Sequence, residues 1–186
     1  MDQRGLIERA ARGEHDAFTS LLDPRLARLD AAARLILRDG ELARDAVQEA
    51  LIRAWRDLPG LRDPERFDAW LHRLVVNACL DLVRRRKRRV IEVELKPIDH
   101  PPATDIAAAL ADRQVLDQAL ARLDPGHRAV IALHDLLGMP MPDVARALGI
   151  PVGTAKSRRH YALSAMRLVV TGDPDPVPAS AAGGFA

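Results

Sequence analysis

Apolar residues recur at helical spacing along almost the whole chain, and no stretch alternates at period two for long enough to make a strand, so the sequence predicts an all-α protein. The palette agrees. Of 186 residues 48% are hydrophobic but only 3% aromatic, so a core must come from Leu, Val, Ile and Ala, a set weighted toward helix formers. One stripe runs Phe18, Leu22, Leu26, Leu29, Ala33 and Ile36, with Pro24 expected to kink it or restart it as a first-turn proline, and Asp39-Gly40 closing it. A second runs Ala43, Val47, Ala50, Ala54 and Leu58, with Leu51 and Trp55 beside it, and stops at Pro59-Gly60. A third opens at Asp63-Pro64 and runs Phe67, Leu71, Leu74, Ala78 and Leu82 into the cationic run Arg84–Arg89.

From Val90 the pattern decays. Glu92, Glu94, Pro97, Asp99, Pro101 and Pro102 form an acidic, proline-bearing stretch that cannot hold a helix, which predicts a flexible linker at 90–103. Periodicity returns with Ile106, Leu110, Leu116, Leu120 and Leu123; Asp124-Pro125 then starts a helix carrying Val130, Leu133 and Leu137, with Gly138 as its stop. Two shorter helices follow at about Pro142–Leu148 and Val152–Leu168, and the Asp, Pro, Ala and Gly of 171–186 read as a disordered tail. The expectation is two small helical domains, 1–89 and 104–170, joined by that linker.

The net charge of +2 conceals strong patterning. Residues 71–89 hold seven cations and one acid, 90–125 three cations and seven acids, and 126–170 six cations and two acids. Acidic and basic blocks thus alternate, which suggests separate surfaces for different partners. No apolar run approaches the roughly 20 residues of a membrane span, Met1–Glu14 has no signal-like apolar region, and Cys79 has no cysteine to pair with. The expected location is the reducing cytoplasm, without membrane insertion.

The sharpest local signal surrounds Gly149. Ala145 and Gly149 are four apart between two helical stretches, as in a helix-turn-helix: a small residue where the helices touch and a glycine where the turn calls for positive φ. The second helix carries Thr154, Lys156, Ser157, Arg158, Arg159, His160 and Tyr161, side chains suited to phosphates and base edges, with no acid between Pro151 and Val170. The competing reading is a tight helical hairpin with a solvated charged face. Upstream of Arg84–Arg89 stand Trp70, His72, Arg73 and Asn77, which can stack on or bond to bases, although Trp70 is as readily a core residue. Glu41, Asp45, Gln48, Glu49 and Arg56 line one side of the second helix, which alone reads as a solvated face. The six histidines show no ligand-spaced cluster and no Gly-rich phosphate loop appears, so no metal, cofactor or catalytic residue is expected.

Three blocks together carry a resemblance. Glu41 through Arg56 (ELARDAVQEALIRAWR), Phe67 through Arg84 (FDAWLHRLVVNACLDLVR) and Pro151 through Arg158 (PVGTAKSR) resemble, in order and separation, regions two and four of the extracytoplasmic-function (ECF) sigma factors of bacterial RNA polymerase, over about residues 12–168. The resemblance implies a region-two bundle of three or four helices and a region-four helix-turn-helix domain, and a transcription initiation factor that is not itself an enzyme. By the same resemblance, Asp45, Gln48 and Glu49 would dock on the clamp helices of the polymerase β′ subunit, with the β subunit as a further contact. The loop Leu58–Arg66, with Arg62 and Arg66, and Asn77 would capture a flipped base of the minus-ten element, Trp70 and Arg73 would be further contacts to that element, and Arg84 and Arg85 would hold the opened strand. Thr154, Lys156, Ser157, Arg158, His160 and Tyr161 would meet the minus-thirty-five element. An anti-sigma factor is the further implied partner.

The chain departs from the family pattern at Arg159, on the inner stripe Ala155, Ala162 and Met166, and at Tyr161, where the family usually has arginine. A buried guanidinium would be costly, so Arg159 is expected to reach solvent, a phosphate or an acid. Met141 stands where a helix-capping Ser or Thr is common. A helix-turn-helix regulator that never touches polymerase is the alternative, and it would have no use for the acidic face.

Overall fold

The computed structural model describes residues 2–92 and 109–171, so most of the expected linker and nearly all of the expected tail lie outside the described residues. Among the described residues the chain is helical, with no strand. Four helices, α1 (Gln3–Ala11), α2 (His15–Leu37), α3 (Gly40–Asp57) and α4 (Phe67–Glu92), form a first bundle, and α5 (Ala109–Ala121), α6 (Pro125–Ile131), α7 (Met141–Leu148) and α8 (Val152–Thr171) form a second.

Local chemistry explains the boundaries. The α2–α3 corner is tight: the Arg38 N–H donates to Arg34 O (2.8 Å) with Arg38 itself left-handed at φ 55°, and the Asp39 carboxylate accepts from the N–H of Glu41 and Leu42, both at 3.1 Å. Asp63 caps a 3-10 turn, Pro64–Arg66, that leads directly into α4. One expectation needs correction here. Of the two readings at Pro24, the restart does not occur, because α2 runs through the proline. Arg25, the next residue, ties this turn to its neighbours, donating to Leu21 O (2.6 Å), Gln3 Oε1 (2.7 Å) and the Asp68 carboxylate. α4 continues to Glu92, three residues past the end of the expected first domain. The N-terminal helix α1 had no counterpart among the sequence expectations.

In the second bundle the Asp124 carboxylate caps α6, accepting from the N–H of Gly126 (2.7 Å) and His127 (3.0 Å). Desolvation pushes its pKa up, but bonding to His127 and to these backbone groups outweighs it and brings the carboxyl down to about 2. The predicted helix through Leu137 is broken: α6 ends at Ile131 and Ala132–Leu136 make a π turn, with Leu137 N–H donating to Ala132 O at 2.9 Å. Gly138 and Gly149 end their helices at φ 75° and 65°, the conformation their positions called for. Pro140 precedes α7 without a side-chain cap, in line with the missing Ser or Thr at Met141.

The bundles share one core. Leu29, Ala32, Ala33 and Ile36 of α2 belong to the same buried cluster as Val130, Leu133, Leu137 and Val144, and α2 packs on α6 and the π turn while α4 packs on α7. Two arginines stitch the seam reciprocally. Arg28 of α2 donates to Leu136 O (2.5 Å), and Arg128 of α6 donates from Nε to Ile36 O (2.8 Å). The Arg128 guanidinium is almost fully buried, 8% exposed, and also donates to Leu120 O (3.1 Å) and Leu123 O. Burial, with the nearby Arg38 charge, lowers its pKa to about 10, so it stays protonated at neutral pH.

Charged hydrogen bonds of this kind contribute about 1.5–3 kcal/mol, and losing the donor leaves buried carbonyls unsatisfied. Arg128→Met is therefore expected to lower unfolding free energy by about 2–3 kcal/mol in urea titrations; a loss below about 0.5 kcal/mol would mean the seam does not depend on it.

Candidate nucleic-acid interface

On α4 and the turn before it, Arg66, Trp70, Arg73, Asn77 and Arg84 fall at spacings of four, three, four and seven, one continuous stripe. Arg66, Arg73 and Arg84 are exposed, whereas Trp70 and Asn77 are half-buried. Trp70 lies against Phe67 at 5.8 Å between ring centres, so it is neither fully core nor free to stack on both faces. His72 is half-buried on the same helix. Its Nδ1 is buried without a partner among the described residues, and burial lowers its pKa. Arg62 sits exposed in the loop between the two 3-10 turns. Arg84 is paired with Asp81 at 2.7 Å, and Arg85, off the stripe, reaches Glu49 at 3.8 Å.

That last contact changes the picture of separate surfaces. Asp45 and Gln48 are exposed on α3, but Glu49 is half-buried, bonded to Arg53 and close to Arg85, while Arg86 lies 3.8 Å from Asp39. The cationic end of α4 folds along the acidic helix and offsets part of its charge. Ile52 was not singled out by sequence. It lies four residues after Gln48, off the inner stripe of α3, and is 61% exposed, the most exposed large hydrophobic side chain among the described residues. Its signal was present in the pattern: an aliphatic residue on the polar side of an amphipathic helix.

The helix-turn-helix is α7, Gly149 and α8. Ala145 is 2% exposed at the helix contact, and the turn is closed by Ile150 N–H on Ala145 O at 3.0 Å. Lys156, Ser157, His160 and Tyr161 are exposed on α8, with Thr154 and Arg158 half-buried. Ser157 donates back to Gly153 O (3.0 Å), and Tyr161 leans on the His127 ring at 4.8 Å. Arg159 finds an acid, as its position required. Its guanidinium forks onto the Asp135 carboxylate of the π turn, with Nε at 3.0 Å and a terminal nitrogen at 2.5 Å, and this pairing raises its pKa.

The two candidate DNA faces meet. Arg73, Asn77 and Arg84 from α4 and Arg146, Gly149 and Arg158 from the helix-turn-helix line one cavity of about 290 Å³ between the bundles. Arg146 was absent from the sequence-derived set; nothing in helical spacing brings α7 to α4.

Two family models match this chain, Sigma-70 region 2 over residues 21–89 and Sigma-70 region 4 over residues 113–166. The ECF RNA polymerase sigma factor SigM of Mycobacterium tuberculosis is 36% identical over 154 residues, 82% of this chain and 76% of that protein. The RNA polymerase sigma-E factor of Streptomyces coelicolor is 32% identical over 155 residues, covering 83% and 86%. Among solved structures, CnrH in complex with the cytosolic domain of CnrY superimposes with TM-score 0.67 at 29% identity, covering 93% of this chain and 100% of that one. The sigma factor RpoE in complex with the anti-sigma factor NepR from Bartonella quintana gives TM-score 0.73 at 26% identity, covering 84% and 98%.

The Arg159–Asp135 pair is about one-third exposed on both sides, the class worth roughly 0.2–1 kcal/mol. Arg159→Leu, which fits the inner stripe, is expected to keep unfolding free energy within about 1 kcal/mol of the parent by chemical denaturation; a larger loss would show that the fork holds the recognition helix in place.

Proposed function

The chain belongs to the ECF sigma factors, transcription initiation factors of bacterial RNA polymerase, and from that premise we propose which of its surfaces does what. The observation that carries the assignment is the α4 stripe Arg66, Trp70, Arg73, Asn77 and Arg84: a half-buried amide and a tilted indole between guanidiniums. An unstacked base needs a shaped polar and aromatic pocket, and the strand it leaves needs cations for its phosphates. Asn77 reads the flipped minus-ten base, with Trp70 beneath it and Arg62 and Arg66 at its rim. Arg73, Arg84 and Arg85 hold the backbone of the opened strand.

Region four reads duplex. Lys156, Ser157, His160 and Tyr161 face the major groove of the minus-thirty-five element, and Thr154 and Arg158 take phosphates near the start of α8. Tyr161 replaces the family's usual arginine with a neutral ring held by His127, so it contributes apolar contact, for example with a thymine methyl, rather than a guanine fork. Core polymerase docks on α3 through Asp45, Gln48 and Glu49, with Ile52 as the apolar anchor that the charged residues surround. The β′ clamp helices and the β subunit are the polymerase elements concerned. The factor supplies positioning and melting but no catalysis of its own, acts in the cytoplasm, and is held in check by an anti-sigma factor; relatives solved with CnrY and NepR support that last point. No described helix is long and apolar enough to cross a membrane. A helix-turn-helix regulator independent of polymerase finds no support, because region two accounts for residues 21–89.

Three variants separate the surfaces in transcription with core polymerase on a randomised promoter library. Ile52→Asp is expected to weaken core binding roughly 30-fold or more, as loss of an interface hot spot does, while duplex binding by region four persists. Asn77→Ala is expected to lose minus-ten base preference with core binding intact, and Lys156→Ala to lose preference at the upstream element only. Minus-ten preference surviving Asn77→Ala, or core binding lost in Lys156→Ala, would overturn the corresponding assignment.

A further inference from the structure

The cavity between the bundles is a site in its own right. Four guanidiniums, those of Arg73, Arg84, Arg146 and Arg158, border about 290 Å³ together with the Asn77 amide, and no carboxylate is among its described lining residues. Two acids stand one layer back, Asp81 bonded to Arg84 and Asp143 bonded to Arg146 at 2.5 Å, so they orient guanidiniums without filling the space. The residues come from both bundles, and the wall exists only while the seam of Arg28, Arg128 and their carbonyls is closed.

We propose that this cavity binds a small ligand carrying two or more linked phosphates, and that the ligand holds the protein closed. The volume lies at the lower edge of small-molecule sites, about 300–1,000 Å³, which suits a short phosphate chain with at most a nucleoside attached. Guanidiniums present paired donors that match phosphate oxygens bidentately, and four of them outnumber what one monoanion can satisfy. Asp81 and Asp143 offset part of this charge, and an anion that bonds the guanidinium donors facing the cavity stabilises the arrangement that gathers them. A ligand that binds only the closed form shifts the population toward it by its full binding free energy. Because Arg73, Asn77, Arg84 and Arg158 are also the residues assigned above to promoter DNA, a ligand there competes with the promoter. That consequence rests on the proposed function; the binding itself does not.

The test uses the full chain without DNA or polymerase, so its outcome is independent of the promoter assignments. Sodium tripolyphosphate and ATP are titrated calorimetrically at constant ionic strength, and the distance between fluorophores on α2 and α8 is followed in parallel. One-to-one saturable binding with a narrower distance distribution is expected. Tighter binding of ATP would identify a nucleotide as the ligand, and equal binding the phosphate chain alone. Arg146→Gln, exposed and outside the promoter-reading set, is expected to weaken binding by about tenfold or more, and Lys87→Gln, on the cationic run but outside the cavity, to leave it within about twofold. Absence of saturable binding, or equal weakening by Lys87→Gln, would overturn the proposal.

Discussion

The structure depends on a buried cation whose side-chain hydrogen bonds, among the described residues, go to backbone carbonyls, while the Asp124 carboxylate acts on it only through its charge. Arg128 is satisfied by three backbone carbonyls: Leu120 O and Leu123 O at the end of α5 and Ile36 O at the end of α2. Carbonyls at helix C-termini lack intrahelical partners and carry the negative end of the helix dipole, so one guanidinium serves two helix ends at once. An apolar residue there would take this donor from Ile36 O and Leu123 O, and would leave Leu120 O with the Leu123 N–H alone. A lysine could not span them, since its donors radiate from one nitrogen whereas Arg128 uses Nε toward one bundle and a terminal nitrogen toward the other. The contact therefore fixes the α5–α6 corner inside the second bundle and the seam between the bundles with the same side chain.

The seam explains why α4 and the helix-turn-helix border one cleft. Apolar burial at Leu29, Ile36, Val130 and Leu133 draws the bundles together, and the opposing term is electrostatic, with the cations of α4 facing those of α7 and α8 across the cavity. On the assignments proposed above, the side chains that would meet promoter DNA are the ones whose like charge opposes closure. The balance of hydrophobic contact against like charge is then salt-dependent, because the first term is insensitive to screening and the second is not.

Much of this was legible in the sequence wherever the relevant physics is local. Stripe spacing gave α2, α3 and α4, Asp39 and Asp124 announced their helices as caps, and Gly138 and Gly149 marked positions of positive φ. The helix-turn-helix could be read because its geometry spans only some twenty residues. The features that escaped a sequence reading depend on partners distant along the chain. Arg128 to Ile36 spans 92 positions and Arg28 to Leu136 spans 108, and no periodicity encodes such a pair. At Pro24 the local tendency to restart a helix does not prevail: α2 runs through it, and the next residue, Arg25, bonds to Gln3 and Asp68 far along the chain. The cationic run after Arg84 looked like an independent patch only because Glu49 and Asp39, which Arg85 and Arg86 approach, lie on another helix.

The π turn at Ala132–Leu136 links these themes. A regular helix would have carried α6 through Leu137; inserting a residue into the turn rotates the next stretch of chain and frees carbonyls on its outer side. Leu136 O goes to Arg28 across the seam, while Asp135, one residue earlier, takes the fork of Arg159 from α8. Five residues thus hold the recognition helix on one side and the first bundle on the other. Arg159 departs from the apolar residue usual at its position, and an acid at 135 is what makes the departure tolerable. The arginine that looked misplaced on the inner stripe therefore joins the DNA-reading helix to the element that closes the molecule.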